Sequence, residues 1–360
     1  MSKKNKLTIG FAGTPELAYR HFLKISESSD IDIRFVLTQP DKKTGRGQKT
    51  SNSLFNSSAQ EVEILQPDNL NDQNFKENLL AKKIDLLVVV AYGKIIPDWM
   101  LSYPKYGCLN VHFSLLPKYR GAAPMQRAIC NGDSITGISF MSLVNELDAG
   151  PVYESYVHEI GSSDIFQLED ALLALSLKKI NTVIEKIVFG GMKAKEQNHS
   201  EASMAEKIHK NEGLVDWNLS SKEIIDKFRG LKKWPRSFFK LGGELVTVHD
   251  MCCSSNNTKN AGEVKSFTKD GLEVFCGDGV IKIASVQFPG KKLISAGDFF
   301  NSKRALFELK KSPALISFLP GNWTLAIFIT PSPQKTSNPS FVNDFTSPAF
   351  LVLFEEQHMS

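Results

Sequence analysis

The run Leu86-Leu-Val-Val-Val90 constrains the fold more than any other segment of this 360-residue chain. An uninterrupted aliphatic run that ends in three valines is typical of a strand buried on both faces of a parallel sheet. Two shorter apolar runs, 7–11 and 33–37, precede it. Strands that recur at this spacing, with helical stretches between them, predict an α/β fold built on a Rossmann-like, doubly wound sheet. The ligand crevice of such a sheet lies beyond the carboxyl ends of its strands.

Later segments continue the alternation. Residues 109–112 and 136–143 read as strands, and the amphipathic stretch 169–188 predicts a long helix. After the first strand, a helix is expected to begin at Pro15 with Thr14 as its N-cap, because threonine suits the N-cap and proline suits the first helical position.

The character of the sequence changes after Gly190, where two glycines and a polar stretch predict a linker. Beyond it, one helix (220–229) is followed by short β-rich runs that glycine and aspartate turns separate. This pattern predicts a smaller β-barrel of the oligonucleotide-binding (OB) type. The predicted division is a catalytic domain (1–190), a linker (191–204), an OB-like domain (205–310) and a Pro/Ser/Asn-rich, disordered tail (311–360).

Composition excludes several classes of protein. The net charge is only +4, so contact with nucleic acid has to come from local clusters of basic residues. The five cysteines show no C-x-x-C spacing, which argues against a disulfide framework and a cysteine zinc site and favours a reducing cytoplasm. The histidines lack metal-ligand spacing, so no metal is expected. The most apolar late segment, 314–329, is broken by Pro320, so no membrane role is expected.

Asn110 and His112 lie two residues apart on a predicted strand, so their side chains leave the same face near its carboxyl end. Asp148 lies in the loop after the next predicted strand. An amide that holds an oxyanion, an imidazole and a carboxylate that orients it would form an acyl-transfer site. From pattern alone, such residues more often serve turns and caps.

Two basic clusters are candidates for contact with RNA. Four cations surround two glycines in the loop 41–49, which could track phosphates or could be a solvated surface loop. This loop lacks the upstream glycine of a phosphate-binding P-loop, and 10–13 does not form the G-x-G-x-x-G of a dinucleotide site. A second basic group surrounds Trp234-Pro235 and reads either as a helix end or as an RNA-binding patch.

Several motifs, in order along the chain, resemble those of the methionyl-tRNA formyltransferases. The strongest is Asn110-Val-His-Phe-Ser-Leu-Leu-Pro117, which continues to Lys118-Tyr-Arg-Gly-Ala-Ala-Pro-Met-Gln-Arg127. The resemblance runs from about Leu7 to about Arg304 and is weaker in the second domain. The other matching segments are Phe11-Ala-Gly-Thr-Pro15, Thr38-Gln-Pro-Asp41 with Gly45-Arg-Gly47, Val88-Val-Val-Ala-Tyr-Gly93, Val215-Asp-Trp217, Trp234-Pro235 and Gly277-Asp-Gly279.

This resemblance implies a function and a set of site residues. The donor would be 10-formyltetrahydrofolate, the acceptor initiator methionyl-tRNA, and the enzyme a cytoplasmic monomer without a metal. Asn110, His112 and Asp148 would be the catalytic trio. The folate-binding residues would be Ala91, Tyr92, Gly93, Ile95, Ser114, Leu115, Leu116, Pro117 and Asn145. The tRNA-binding residues would be Lys42, Lys43, Arg46, Lys49, Lys232, Lys233 and Arg236.

Three alternatives are considered. A formyltransferase that acts on a small amine, such as glycinamide ribonucleotide or an amino sugar nucleotide, would share the trio but would not need the basic loop or the second domain. An inactive RNA-binding module would not need the trio. A nicotinamide-dependent oxidoreductase would need the glycine fingerprint that is missing here.

Overall fold

The computed structural model of the protein describes residues 6–44, 49–51, 54–57, 62–241, 244–256 and 259–301. Arg46 and the predicted tail, 311–360, lie outside these residues. Within the described ranges, no helix combines the length and the apolar character that a membrane crossing requires.

The described residues contain seventeen strands and six α-helices. The strands are β1 (Leu7–Gly13), β2 (Ile31–Leu37), β3 (Lys42–Thr44), β4 (Lys49–Ser51), β5 (Glu63–Leu65), β6 (Leu86–Val90), β7 (Cys108–His112), β8 (Arg120–Gly121), β9 (Ile135–Ser142), β10 (Val152–Glu159), β11 (Met204–Ala205), β12 (Phe238–Leu241), β13 (Glu244–Ser255), β14 (Val264–Thr268), β15 (Gly271–Phe275), β16 (Val280–Gln287) and β17 (Leu293–Ser295). The helices are α1 (Glu16–Ser26), α2 (Gln73–Ala81), α3 (Asp98–Leu101), α4 (Pro124–Cys130), α5 (Ile165–Val188) and α6 (Ser221–Leu231).

Seven strands form the first sheet, in the order β10-β9-β7-β6-β1-β2-β5. The five strands from β7 to β5 in this order are parallel. The chain builds outward from β1 to β5 and then returns to the other side of β1 with β6, so the direction of winding reverses between β1 and β6. The predicted Rossmann-like sheet is therefore confirmed, and its switch point lies between these two strands.

The sheet is buried on both faces, as the run 86–90 predicts. Leu86, Val88 and Val90 lie in the core beneath α1 and α5, whereas Leu87 and Val89 lie in the core beneath α2 and α3. Each fully buried aliphatic side chain stabilises the fold by roughly 1.5–3 kcal/mol. A shift of one residue would exchange the two faces, so this strand fixes the register of its neighbours.

Strand β9 runs against β7, with Leu109 opposite Ser142 and His112 opposite Ser139. The carboxyl end of β9 therefore lies at the edge of the sheet opposite the crevice. The loop 143–151 starts at that edge, where the backbone N–H of Leu143 donates to the carbonyl of Cys108. It then turns back across the face of the sheet to reach the end of β7.

The second part of the chain is a curled antiparallel sheet, a half-barrel in the order β12-β13-β16-β15-β14, with β17 beside β16. Trp217, Phe239, Val248, Ile281 and Phe299 are among its core residues. Helix α6 begins with a capping box, in which Ser220 and Glu223 bond to each other's backbone N–H. The predicted smaller β domain is thereby confirmed, and its strand β13 is longer than the run 244–248 suggests.

Some local predictions are wrong. Pro15, not Thr14, occupies the N-cap of α1, and the described residues show no side-chain cap hydrogen bond at this position. The Thr14 hydroxyl instead donates to the carbonyl of Tyr92 at 3.1 Å. Helix α5 begins at Ile165, because Asp164 and Gln167 form a capping box four residues before the expected start. Strands β5, β8, β10, β11, β12 and β17 were not predicted, and β3 pairs with β4 where the stretch 41–49 was expected to be a loop.

Candidate active site

The floor of the crevice is built where β1, β2 and β6 end. The carbonyl of Tyr92 accepts hydrogen bonds from the Thr14 hydroxyl at 3.1 Å and from Nε2 of Gln39 at 2.8 Å. The backbone N–H of Gln39 donates in turn to the Thr14 oxygen at 3.3 Å. These contacts join three turns at the switch point, where doubly wound sheets bind their ligands.

Asn110 and His112 lie beside this floor at the end of β7. The alternate residues Leu109 and Val111 pack into the core beneath α1 and α5, so Asn110 and His112 face the opposite side of the sheet. Both are largely buried, with 8% and 6% of their surface exposed. Among the described residues, none makes a hydrogen bond to the Asn110 side chain, which leaves its amide available to a ligand.

The imidazole of His112 is oriented from both sides. Its Nε2 lies 2.8 Å from the carbonyl of Tyr119. Because a carbonyl only accepts, Nε2 carries a hydrogen. Its Nδ1 lies 3.6 Å from Oδ2 of Asp148, slightly beyond hydrogen-bonding distance. A proton on Nδ1 would make this contact an imidazolium–carboxylate pair, and Nδ1 is the nitrogen that remains open to a reacting group.

Asp148 reaches His112 from the loop 143–151. Its Oδ2 accepts a hydrogen bond from the backbone N–H of Gly121 at 2.8 Å. Its backbone has φ 48°, in the left-handed region that costs a non-glycine residue about 1–2 kcal/mol. The expectation that Asp148 lies near His112 is met, but not because carboxyl ends share an edge. The two meet because this loop folds back over the sheet.

A buried cation supports the same loop. Arg120 is 4% exposed and donates from Nε and Nη2 to Oε1 of Gln197, at 3.1 and 2.9 Å. Its Nη1 lies 3.3 Å from Glu146, whose side chain is 69% exposed. Nε2 of Gln197 also donates to two backbone carbonyls of this loop, those of Asp148 and Gly150. Sequence analysis did not identify Arg120 or Gln197 as site residues: Arg120 stands inside the strongest motif, but no local signal marks Gln197.

The stretch between the two sheets takes part in the site. Strand β11 pairs with β8, with Ala205 beside Gly121. The Ser203 hydroxyl accepts from the backbone N–H of Tyr119 at 2.9 Å. The 3-10 turn at His199–Glu201 brings Nδ1 of His199 to 3.1 Å from Arg120. Part of the segment expected to be a linker is therefore structured around the residues that hold His112 and Asp148.

The residues expected to bind folate lie in the turn after β6 and in the loops after β7 and β9, and they differ in exposure and in hydrogen bonding. Ala91 and Gly93 have φ values of 46° and 77°, and Ile95 is 88% exposed. The Ser114 hydroxyl donates to the carbonyl of Lys118 at 2.6 Å, so it stabilises its own loop. The neighbours Leu115, Leu116 and Pro117 are half-buried, and Ser139 accepts from the N–H of Leu116. Tyr92 is buried, and Asn145 is exposed.

The residues expected to bind tRNA fall into two groups. Lys42, Lys43 and Lys49 belong to the hairpin β3–β4, and Arg46 lies outside the described residues. In the second group, Lys232 pairs with Asp164 at 2.8 Å and Lys233 with Glu169 at 2.7 Å. Nη1 of Arg236 lies 3.2 Å from His249. Lys232 and Lys233 thus tie the end of α6 to the start of α5.

Two tyrosines near the site do not supply protons at neutral pH. Burial raises the pKa of Tyr92 to about 12, and its hydroxyl has no hydrogen-bond partner among the described residues. Burial also raises the pKa of Tyr119 to about 12. Within the described ranges, no three His, Cys, Asp or Glu side chains are grouped to hold a metal ion. The polar groups that the structure brings together at the end of β7 are the Asn110 amide, the His112 imidazole and the Asp148 carboxylate.

Comparison with protein families gives two matches along the chain. Residues 6–184 match the family described as formyl transferase, and residues 207–304 match the formyl transferase C-terminal domain. The methionyl-tRNA formyltransferase of Buchnera aphidicola subsp. Acyrthosiphon pisum (strain Tuc7) is 36% identical over 309 residues, which cover 84% of this chain and 98% of that protein.

Solved structures share the fold. The methionyl-tRNA formyltransferase from Clostridium thermocellum aligns with a TM-score of 0.51 at 16% identity, over 75% of this chain and all of that one (100%). HypX from Aquifex aeolicus in complex with tetrahydrofolic acid aligns with a TM-score of 0.56 at 17% identity, over 86% of this chain and 48% of that longer one. At these identities, the likeness concerns the fold alone.

Proposed function

The chain belongs to the methionyl-tRNA formyltransferase family, and we propose that it transfers the formyl group of 10-formyltetrahydrofolate to the α-amino group of initiator methionyl-tRNA. One observation carries the proposal. In a chain of this family, the imidazole of His112 meets the carboxylate of Asp148 beside the amide of Asn110, to which none of the described residues makes a hydrogen bond.

The crevice fits a folate donor. The backbone groups of 93–96 make no backbone hydrogen bond within the described residues, so they can pair with the donors and acceptors at the edge of a pterin ring. Gly93 and the exposed Ile95 add a flat and apolar border. We assign the pterin to this segment, to the loop 114–117 and to Asn145.

Formyl transfer needs no covalent enzyme intermediate. The α-amino group has a reference pKa of about 8, so about a tenth of it is neutral at pH 7, and the ester bond to the tRNA lowers this pKa and raises the neutral fraction that can attack the formyl carbon. A carbon–nitrogen bond forms to the amine, and the bond from the formyl carbon to N10 of the folate breaks. The proton that the amine loses ends on N10. The enzyme contributes orientation of the two substrates and stabilisation of the tetrahedral oxyanion.

The three candidate catalytic residues take distinct roles in this reaction. The amide of Asn110 and a protonated Nδ1 of His112 donate to the formyl oxygen as negative charge develops on it. The Tyr119 carbonyl supports this role, because it occupies Nε2 and leaves Nδ1 for the substrate. Asp148 stabilises the imidazolium and relays the proton from the attacking amine towards N10.

The tRNA is proposed to lie along the paired strands β3 and β4, with Arg46 and Arg236 as further contacts. Lys232 and Lys233 remain proposed contacts, but their partners Asp164 and Glu169 reduce the positive charge that they can offer to phosphates. The proposed cytoplasmic location and monomeric state follow from the resemblance to the family.

Formyl transfer to charged initiator methionyl-tRNA tests the proposal. The full-length protein is incubated with 10-formyltetrahydrofolate and, in parallel reactions, with the tRNA, glycinamide ribonucleotide or an amino sugar nucleotide. Efficient transfer to the tRNA alone is expected. Transfer to a small amine instead would contradict the proposed acceptor, and no transfer to any acceptor would contradict the proposed activity.

Arg46→Ala tests the proposed tRNA contact of the basic stretch 41–49. Removing one cation that neutralises a phosphate should flatten the dependence of log kcat/KM for tRNA on log salt concentration by about 0.7–0.9. Lys233→Gln is the matched comparison and should change this slope less, because Lys233 already has a carboxylate partner. A slope that Arg46→Ala leaves unchanged would remove this residue from the tRNA surface.

A further inference from the structure

Gln197 stands at the centre of the contacts that hold the loop of Asp148. Its Nε2 donates to the carbonyls of Asp148 and Gly150, at 2.8 and 2.7 Å. Its Oε1 accepts from Nε and Nη2 of Arg120, at 3.1 and 2.9 Å. The side chain is buried, with 7% of its surface exposed.

Only one orientation of this amide satisfies its neighbours. Guanidinium nitrogens can only donate and carbonyls can only accept, so Oε1 has to face Arg120 and Nε2 has to face the loop. All of these partners have fixed polarity, and a reversed amide would oppose donor to donor and acceptor to acceptor. The position therefore requires a side chain that accepts on one side and donates on the other.

The two carbonyls belong to the residues on either side of Ala149. Gln197 therefore holds the loop both at Asp148, whose backbone is in the left-handed region, and at Gly150. The carboxylate of Asp148 is held separately by the N–H of Gly121, in the strand that begins with Arg120. The Arg120 side chain thus reaches the loop by way of Gln197 and directly at Glu146, and the next residue, Gly121, reaches it through its backbone N–H. Together these contacts set where Oδ2 lies relative to Nδ1 of His112.

We propose that Gln197 is a positioning residue for formyl transfer, which locks the loop so that the Asp148 carboxylate faces the imidazole of His112. This inference rests on the proposed function and deepens it. Residue 197 lies between the two regions that match the formyl transferase family, 6–184 and 207–304. The segment that connects the two domains therefore supplies part of the support of the active site.

Gln197→Glu separates the two contacts of this side chain. A carboxylate still accepts from Arg120, and as a charged acceptor it binds the guanidinium more strongly. It places an oxygen, however, where Nε2 donated to two carbonyl oxygens, so the loop has to retreat. A displacement near 1 Å can lower the rate by about a hundredfold, so we expect kcat to fall about ten- to a hundredfold. KM for both substrates should stay within about threefold of wild type.

The experiment uses full-length wild type, Gln197→Glu and the control Asn74→Asp. The control makes the same amide-to-acid change at an exposed position on α2, away from the site. Formyl transfer to methionyl-tRNA gives kcat and KM, thermal unfolding reports the fold, and ¹⁵N-histidine NMR reports the His112 ring, whose signals are those absent from the spectrum of His112→Ala. If Gln197→Glu does not fold, Gln197→Met replaces it.

The expected result is a lower kcat and shifted His112 nitrogen signals in the Gln197 variant, with the control like wild type. A kcat within twofold of wild type, or His112 signals that do not move, would overturn the proposal. A wild-type protein that formylates no tRNA would instead refute the proposed function. In that case the NMR comparison still decides whether Gln197 sets the surroundings of His112.

Discussion

The candidate active site joins two regions that are held in different ways. Its strand half, Asn110 and His112, lies on β7, which has a neighbouring strand on each side. Its loop half, Asp148, lies in the loop 143–151 and is held by a few hydrogen bonds to Gly121 and Gln197. The strand half is fixed by the backbone hydrogen bonds of β7 to its two neighbouring strands and by residues near it in the sequence. The loop half depends on residues from two distant parts of the chain.

This difference predicts different responses to change. Opening the strand half requires breaking the core of the sheet, which has a free-energy cost close to that of global unfolding. Opening the loop half requires breaking a small network, which costs less. Perturbations of the strand half should therefore affect chemistry or overall stability, whereas perturbations of the loop half should affect kcat while the protein stays folded.

The largest expected effect is on the strand half. His112→Ala should lower kcat about a hundredfold or more, because it removes a donor to the developing oxyanion, with little change in tRNA affinity. His158→Ala, which changes a histidine on β10, is the control. A near-normal kcat in His112→Ala would remove this imidazole from the mechanism and weaken the distinction between the two halves.

Acid should loosen the core beneath the strand half. His21 is fully buried, with 0% exposed, and its ring packs against Phe113, directly after His112. Burial lowers the pKa of His21 to about 4 from 6.5, so between these values the unfolded chain binds more protons than the folded one. Stability from this group is present above pH 6.5 and falls by about 3 kcal/mol as the pH drops to 4.

Urea unfolding between pH 7 and pH 4 checks this prediction. His21→Gln should be less stable than wild type at pH 7 and should lose less stability on acidification, because glutamine does not titrate. The carboxylates contribute equally to both proteins, so the difference in slope isolates His21. Equal slopes would show that the histidine is not held neutral in the core.

The loop half should respond to a single methyl group. A Cβ on Gly150 would lie 1.9 Å from the carbonyl oxygen of Ser142, so the loop backbone has to move. We expect Gly150→Ala to lower kcat about tenfold, which corresponds to about 1.4 kcal/mol. Gly290→Ala is the control, since its Cβ has no atom within 4 Å and only its φ of +70° is unfavourable. Unaltered kcat in Gly150→Ala would mean that the loop tolerates displacement.

The smallest change in kcat is expected from Glu146, the exposed partner of Arg120 in the contacts that hold the loop. Glu146→Gln removes the charge opposite Nη1 of Arg120, but the Glu146 side chain is 69% exposed and such pairs contribute about 0–1 kcal/mol. The variant should change kcat less than threefold in the formyl-transfer assay. A larger loss would indicate that the loop is held by this ion pair and not by Gln197.

The strand half could be predicted from the sequence, and the support of the loop half could not. The run 86–90 and the N-x-H spacing of Asn110 and His112 are local patterns, and the structure reproduces both. Asp148 was expected beside this pair for two reasons, its place after the next predicted strand and the resemblance to the family. The first reason is wrong, because β9 is antiparallel and its carboxyl end points away from the crevice. Gln197 bonds to residues 47 and 49 positions away, and no local pattern encodes a contact at that separation.

The sequence also does not show whether the lysines beside Trp234 have carboxylate partners, because those partners are distant in the sequence. In the sequence, Lys232 and Lys233 form a basic cluster beside Trp234 that could be free to bind RNA. In the structure, each lysine pairs with a carboxylate near the start of α5. Those carboxylates, Asp164 and Glu169, lie more than sixty residues away. Whether a lysine offers its charge to a partner or pairs it within the fold depends on such distant contacts.

The pairing of β11 with β8 determines where this protein can be cut and rejoined. Ala205 and Gly121 lie side by side, and Ala205 accepts from the N–H groups of Ala122 and Ala123. A chimaera that joins this N-terminal part to another C-terminal domain at residue 190 would exchange Gln197, Ser203 and Ala205 for foreign side chains. The fusion point that preserves the catalytic geometry lies after Ala205, so the working N-terminal module is longer than the sheet it contains.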